Sequence, residues 1–314
     1  MISLPLADTG GQDLFINVCI TGLTNGFLFA LIALGYTMVY GIVELINFAH
    51  GDLFMLGCFL AWTLVGLATV SAGTPLAWSI VLLLLVVTPV FCAVLNAGVY
   101  LAVYRPQRSA PKLNLLVSAI GVSFVFMNIG QIWGGSQDLD FPRLLPDGNL
   151  LGSSSALQLS WADFLVIVVT VVSMVSLTVF VKLTPLGKAM RATAQNPTAA
   201  ALMGIDVNRV IAVTFMIGGL LAGVASVIFA LKIKTIGWDM GFKNGLYSFT
   251  AAVLGGIGNI PGAVIGALII GMVRSMSDTY FDAQWTETLV FAILIVILIF
   301  RPSGLLGAHT REKV

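Results

Sequence analysis

The sequence predicts an all-α, polytopic transmembrane helical bundle of about seven to eight spans with one broken or re-entrant element, and three observations carry that expectation. Of the 314 residues, 58% are hydrophobic and only 9% charged, against about 25% charged in a soluble domain. The apolar residues gather in runs near the roughly 20 that a helix needs to cross a bilayer. Charges stand between these runs, as they must when one at a span centre costs about 2.5 to 3.5 kcal/mol. Such a chain cannot cover a water-facing surface. In lipid, only helices and closed barrels satisfy every backbone polar group.

The first thirteen residues hold no Lys or Arg, and no small-residue cleavage site follows a short apolar core, so no removable signal peptide is expected. The charge-free runs are 14–43, 53–104, 113–137, 164–181, 210–231, 244–273 and 288–300. The second is long enough for two spans, and Ser71-Ala72-Gly73-Thr74-Pro75 supplies the turn between them. The run 244–273 is interrupted by Gly255-Gly256-Ile257-Gly258-Asn259-Ile260-Pro261-Gly262, which leaves halves too short to span singly. Irregular backbone survives at membrane depth only when buried in protein or lining a polar cavity. Gly258, Asn259 and Pro261 are therefore candidates for a translocation pathway or gate, and a Pro-kinked ordinary span is the other reading.

Orientation follows from the Lys and Arg count. An outside N-terminus, seven full spans and a re-entrant element place Arg105, Arg108, Lys112, Lys182, Lys188, Arg191, Arg209, Arg301, Arg311 and Lys313 in the cytoplasm. Arg143, Lys232, Lys234, Lys243 and Arg274 then lie outside. A fully crossing element would nearly cancel the bias.

Small residues recur four apart at Gly22 and Gly26, Gly219 and Gly223, Gly218, Ala222 and Ser226, and Gly262 and Gly266, a spacing that lets helices pack closely. Cys19, Cys58 and Cys92 stand singly in apolar stretches and read as packing residues. The net charge of +1, with no basic block, gives no sign of a nucleic-acid partner. Glu44, Asn47, His50 and Asp52 form a polar cluster where the first helix must break. A structural loop at the membrane edge, a pathway or gate, and direct substrate contact all remain open for it.

Between 182 and 209 the chain is polar and basic. Thr184 caps a helix whose first residue is Pro185, Asn196 caps a second whose first residue is Pro197, and Gly204 suits its end. Leu186, Met190, Leu202 and Met203 beside Lys188 and Arg191 offer apolar knobs framed by cations. They fit either a groove of a cytoplasmic partner or the lipid surface.

From Gly187-Lys188-Ala189-Met190-Arg191 through Met203-Gly204-Ile205 the sequence resembles the cytoplasmic loop of LivH-type permeases of ABC branched-chain amino-acid importers (the LivH/LivM family). The resemblance covers nearly the whole chain. It includes Ile46-Asn47-Phe48-Ala49-His50-Gly51-Asp52, Thr250-Ala251-Ala252-Val253-Leu254-Gly255-Gly256 with Pro261-Gly262-Ala263, and the tail Phe300-Arg301-Pro302-Ser303-Gly304-Leu305-Leu306-Gly307. It implies one permease domain over 1–314 with 182–209 as an ATPase-coupling loop, carried by Gly187, Lys188, Arg191, Thr198, Ala199, Ala200 and Gly204. The family's loop motif is Glu-Ala-Ala and then Gly; here Thr198 stands in place of the Glu.

The resemblance also implies a multi-pass protein of the bacterial cytoplasmic (inner) membrane. Its partners would be a second related permease, two cytoplasmic ATPase subunits and an extracytoplasmic substrate-binding protein. The chain has no Gly-x-x-x-x-Gly-Lys-Ser/Thr loop, so ATP would be used by the partner subunits and no cofactor bound here. Branched-chain amino acids lead the substrate classes, followed by other neutral amino acids and by urea or short amides. A secondary transporter and a passive channel for small neutral solutes are the rival classes. An enzyme is disfavoured, since no nucleophile, base or metal-ligand set converges.

Overall fold

The computed structural model describes residues 11–43, 47–67, 74–108, 110–146, 148–152, 157–281, 283–301 and 303–307. Glu44, Arg311 and Lys313 lie outside the described residues. The helices are α1 Gly11–Val43, α2 Ala49–Gly66, α3 Pro75–Val99 running into a π-helical turn Tyr100–Tyr104, α4 Lys112–Gly134, α5 Trp161–Leu183, α6 Pro185–Gln195, α7 Pro197–Leu202, α8 Val207–Ile233, α9 Met240–Gly255, α10 Ile260–Tyr280 and α11 Ala283–Phe300. Two short strands, β1 Leu139–Asp140 and β2 Thr235–Ile236, pair antiparallel with Leu139 opposite Ile236.

Eight of these helices are long and apolar enough to cross a membrane. Among the candidate spans α1, α2 and α8 are the most enclosed, and with the largely buried α9 they make the core, whereas α3, α4, α5 and α11 surround them and turn apolar side chains outward. Leu82, Val86, Phe124, Val172 and Ile299 are exposed in this way, as a lipid solvent requires. The chain is a multi-pass membrane protein.

The recurring small residues close the core. Gly22 and Gly26 of α1 face Met272 and Leu268 of α10, and Gly219 and Gly223 of α8 face Cys92, Ala93 and Pro89 of α3. Gly262 and Gly266 of α10 lie against Gly255 and Ala251 of α9. Cys58 and Cys92 are buried, free and in packing positions, each near a backbone carbonyl: Ser226 and Leu53, at 3.4 and 3.7 Å.

These contacts fix which helix ends share a face. Helix α10 runs antiparallel to α1, with Ser275 donating to the Val18 carbonyl at 2.8 Å at one end and Gly258 set against Gly41 at the other. Helix α8 is antiparallel to α1 as well, since Lys232 reaches Thr24 while Gly218 lies at Val39 and Gly35. The α5–α8 loop, the α9–α10 turn and the tail from Ser303 therefore lie at one end of the bundle. The start of α1 lies at the other, the arrangement the Lys and Arg distribution favours.

Two expectations need correction. The α9–α10 element is a hairpin whose ends both lie far from the loop, but its halves are not both short: α10 has 21 residues and qualifies as a span by itself. Charge-bounded runs also stop too early. Arg274 and Asp278 lie within α10, Glu287 within α11, and His50 and Asp52 within α2. Arg274, Asp278 and Glu287 are tolerated because they face a polar cleft, and Asp52 because Ser123 donates to it, so their presence does not end a helix.

Candidate functional site

Asn47, His50 and Asp52 are enclosed by protein. All three are buried, with exposures of 2, 1 and 0%. Gly218, beside which His50 packs through Gly35, is eleven residues into α8, about 16 Å at 1.5 Å per residue. His50 is thus inside the bundle, whereas Asn47 stands nearer its loop end, bonded to Tyr104 beside the exposed Arg105.

A hydrogen-bonded chain holds it. Tyr104 donates to the Asn47 side-chain oxygen at 3.1 Å, Asn47 donates to Asn96 at 3.4 Å, and Asn96 donates to the Phe215 carbonyl at 2.7 Å. Ser123 of α4 donates to one carboxylate oxygen of Asp52. Asp52 also lies in the first turn of α2, where the helix dipole favours a negative group. Among the described residues, the other Asp52 oxygen and both His50 ring nitrogens make no hydrogen bond of good geometry. Buried polar atoms left so are uncommon and costly. The His50 ring packs edge-on to Tyr36 at 4.7 Å, over Gly35, where any Cβ would occupy the imidazole's place.

Tyr36, Asn47 and His50 line one small cavity of about 10 Å³ together with Phe249 and Ile257, near the least that holds a single water. Through Ile257 the α9–α10 turn reaches this cavity. Gly258, Asn259 and Pro261 themselves stand beside it, at the loop end of the bundle rather than at mid-depth. Their irregular backbone is satisfied without a polar channel. Asn259 caps α10 by accepting from Gly262 at 3.0 Å, Pro261 lies in the first turn, and the Gly256 amide donates back to Ala252 at 3.1 Å.

The tail does what the motif alone did not announce. Leu305 and Leu306 donate their amides to the carbonyls of Leu254 and Gly255 at 2.8 and 3.1 Å, capping the end of α9. Gly256 and Gly304, at φ of +102° and +74°, meet backbone to backbone, an approach and a conformation that only glycine permits. The signal lay in the recurrent glycines of the tail, whose partner the sequence does not reveal.

On the opposite face of α9, at the far end of the bundle, opens a cleft of about 400 Å³. The ends of α8 and α10, the starts of α9 and α11 and the segments carrying Asp138 and Thr235 surround it, and Asp239, Lys243, Arg274, Asp278 and Glu287 line it. Sequence reading treated these charges as loop markers and missed their convergence.

The loop folds as its caps predict. Thr184 accepts from the Gly187 amide at 3.0 Å, Asn196 from the Ala199 amide at 3.0 Å, and Gly204 takes φ +83°. One expectation fails: Met190 is fully buried and Leu186 half-buried against the bundle, because α6 turns its apolar face inward. Leu202 and Met203 alone stay out, 84 and 83% exposed, with Lys188, Thr198 and Ala199 also exposed and Ala200 buried. Gly187 is buried at the α5 carbonyls of Phe180 and Val181, and Arg191 donates to the Val181 carbonyl. These two fasten the loop to the bundle.

A family profile described as "Branched-chain amino acid transport system / permease component" matches residues 18–299. The chain is 37% identical over 302 residues to the high-affinity branched-chain amino acid transport system permease protein LivH of Salmonella typhimurium, covering 96% of this chain and 98% of the relative. It is 38% identical over 305 residues to BraD of Pseudomonas aeruginosa, a protein of the same description, with coverage of 96% and 98%. A fructose import permease protein, FruG of Bifidobacterium longum, is 23% identical over 82% of this chain and 76% of its own length. No solved structure matches significantly.

Proposed function

This chain belongs to the family of branched-chain amino acid transport system permease components, and we propose that it is the membrane-spanning subunit of an ATP-driven importer of branched-chain or other neutral amino acids. The observation that carries the reading is identity along almost the whole chain to LivH and BraD. The loop at one end supports it: two short capped helices, fastened to α5 by Gly187 and Arg191, present Leu202 and Met203 to whatever docks there. Apolar residues so exposed on a small rigid projection suit insertion into a partner's groove.

The coupling residues are Lys188, Thr198, Ala199, Ala200 and Gly204 with the two anchors Gly187 and Arg191. The partners are two cytoplasmic ATPase subunits, which use the ATP, a second related permease, and an extracytoplasmic binding protein. This chain binds no cofactor of its own. Asn47, His50 and Asp52 with the turn Gly258, Asn259 and Pro261 form the gate, because α9 separates their cavity from the far-end cleft and the turn at its end reaches that cavity through Ile257. FruG's name places a sugar importer among the relatives, so the fold alone does not set the substrate.

The test is uptake into vesicles by the assembled complex with its binding protein. Leucine, isoleucine or valine should accumulate only with ATP inside the ATPase-facing compartment. Uptake driven by a proton gradient without ATP would establish a secondary transporter, and exclusive uptake of urea or short amides would replace the substrate class.

A further inference from the structure

We propose that the far-end cleft is a receiving site that contacts a zwitterionic amino acid directly before it passes α9, with Arg274 for the carboxylate and Glu287 for the ammonium. The inference rests on the proposed importer role and adds to it a site on this chain. The cleft, about 400 Å³, is within the size range of small-molecule sites, which combine apolar walls with a few convergent polar groups.

The charges are arranged around one side chain. The Arg274 guanidinium lies over the Tyr247 ring, 4.9 Å from its centroid, and 5.5 Å from that of Phe29. Stacking covers a guanidinium's face and leaves its N–H edge for an acceptor. Its ion pair with Asp278 is long, 3.7 Å. The hydroxyl at the rim of the same Tyr247 ring donates to Glu287 at 3.5 Å. Opposite charges are thereby held one tyrosine apart, a spacing that a ligand carrying both an ammonium and a carboxylate can satisfy. Phe229 and Met240 in the same wall offer apolar surface to its side chain.

Charge balance adds selectivity. Asp138, Asp239, Asp278 and Glu287 line the cleft against Lys243 and Arg274, so carboxylates outnumber cations four to two. A net-acidic cleft accepts a neutral zwitterion and repels an acidic amino acid.

The experiment uses the complete complex in vesicles with saturating binding protein. Arg274→Gln and Glu287→Gln should each lower leucine uptake tenfold or more, while ATP hydrolysis stimulated by the binding protein stays within twofold of the parent. Arg274→Lys should recover part of the uptake. Independently, Ala283→Cys in the cleft should react with a water-soluble thiosulfonate, and millimolar leucine should slow the reaction at least threefold where isovalerate does not. Parent-like uptake in both Gln variants, or labelling indifferent to leucine, overturns the site. Loss of stimulated hydrolysis together with uptake overturns it too and makes the cleft a docking surface for the binding protein. If the parent complex itself imports no amino acid, the importer reading fails and this inference falls with it; if the parent imports and the variants do so equally, the receiving site alone fails.

Discussion

Asn259 donates its side-chain amide to the Leu306 carbonyl at 2.8 Å, while its side-chain oxygen accepts from the Gly262 amide at 3.0 Å. One residue thus starts α10 and ties the tail to the end of α9. Asn259→Ala should lose the helix cap, about 0.5 to 2 kcal/mol, and release the tail. Asn259→Asp keeps the cap but has no proton to give Leu306, so it should release the tail alone. Carboxypeptidase trimming through Gly307 would be faster in both variants, and thermal stability would fall mainly in Asn259→Ala. Unchanged trimming in both would mean that the backbone bonds of Leu305 and Leu306 suffice.

Lys232 pairs with Asp163 at 2.9 Å and donates to Thr24 at 2.5 Å, its side chain 11% exposed. Asp163→Asn, which retains an oxygen for the Ser160 capping box, leaves that ammonium without its counter-charge. Since removing one partner of a buried pair costs roughly 3 to 5 kcal/mol and this one is slightly exposed, a loss near the lower figure is expected. Adding Lys232→Met should restore more than half of it. Simple additivity of the two changes in thermal unfolding would show that the pair is screened like a surface one.

His50 and Gly35 test the close approach at the interior cluster. Gly35→Ala puts a methyl where the imidazole stands, an overpacking that typically costs about 1 to 3 kcal/mol. His50→Ala in the same chain should remove the clash and bring the double variant above Gly35→Ala in stability, a coupling expected of residues in contact. If the double variant is the less stable by the sum of the two, the ring has room to move and its packing over Gly35 does not constrain it.

What the sequence made legible follows its local rules. The caps at Thr184 and Asn196, the turn at Gly204 and the small-residue faces depend on neighbours along the chain, and each appears in the fold. Helix ends near charges differ from the charge-bounded runs, because Arg274, Asp278 and Glu287 owe their tolerance to a cleft assembled from the ends of α8, α9, α10 and α11. The surroundings of Asn47 and Asp52 are not legible in the sequence for the same reason: the partners in their hydrogen-bonded chain, Asn96, Tyr104, Ser123 and Phe215, are remote along the chain. Met190 reads from sequence as an exposed knob because amphipathicity identifies an apolar face but not what lies against it.

The loop offers the sharpest test of coupling, because two adjacent alanines face opposite ways. Ala199 is exposed and Ala200 buried at 4%. Ala200→Asp places a carboxylate in the loop's own packing, where an unpaired buried charge costs several kcal/mol, so it should lower the stability of the isolated permease. Ala199→Asp meets only solvent in this chain and should leave that stability unchanged. It can act only by meeting a partner. Gly204→Val is a third case, since a branched residue at φ +83° is strained whatever surrounds it, and it should turn α7 away from its docking pose while the spans stay folded. In purified complexes, Ala199→Asp should weaken ATPase association or abolish stimulated hydrolysis, with uptake lost in either case and thermal unfolding of the permease as in the parent. Gly204→Val should assemble but lose stimulation. If Ala199→Asp and Gly204→Val both support parental uptake, the loop is a connector, and ATP-driven motion must enter the bundle elsewhere.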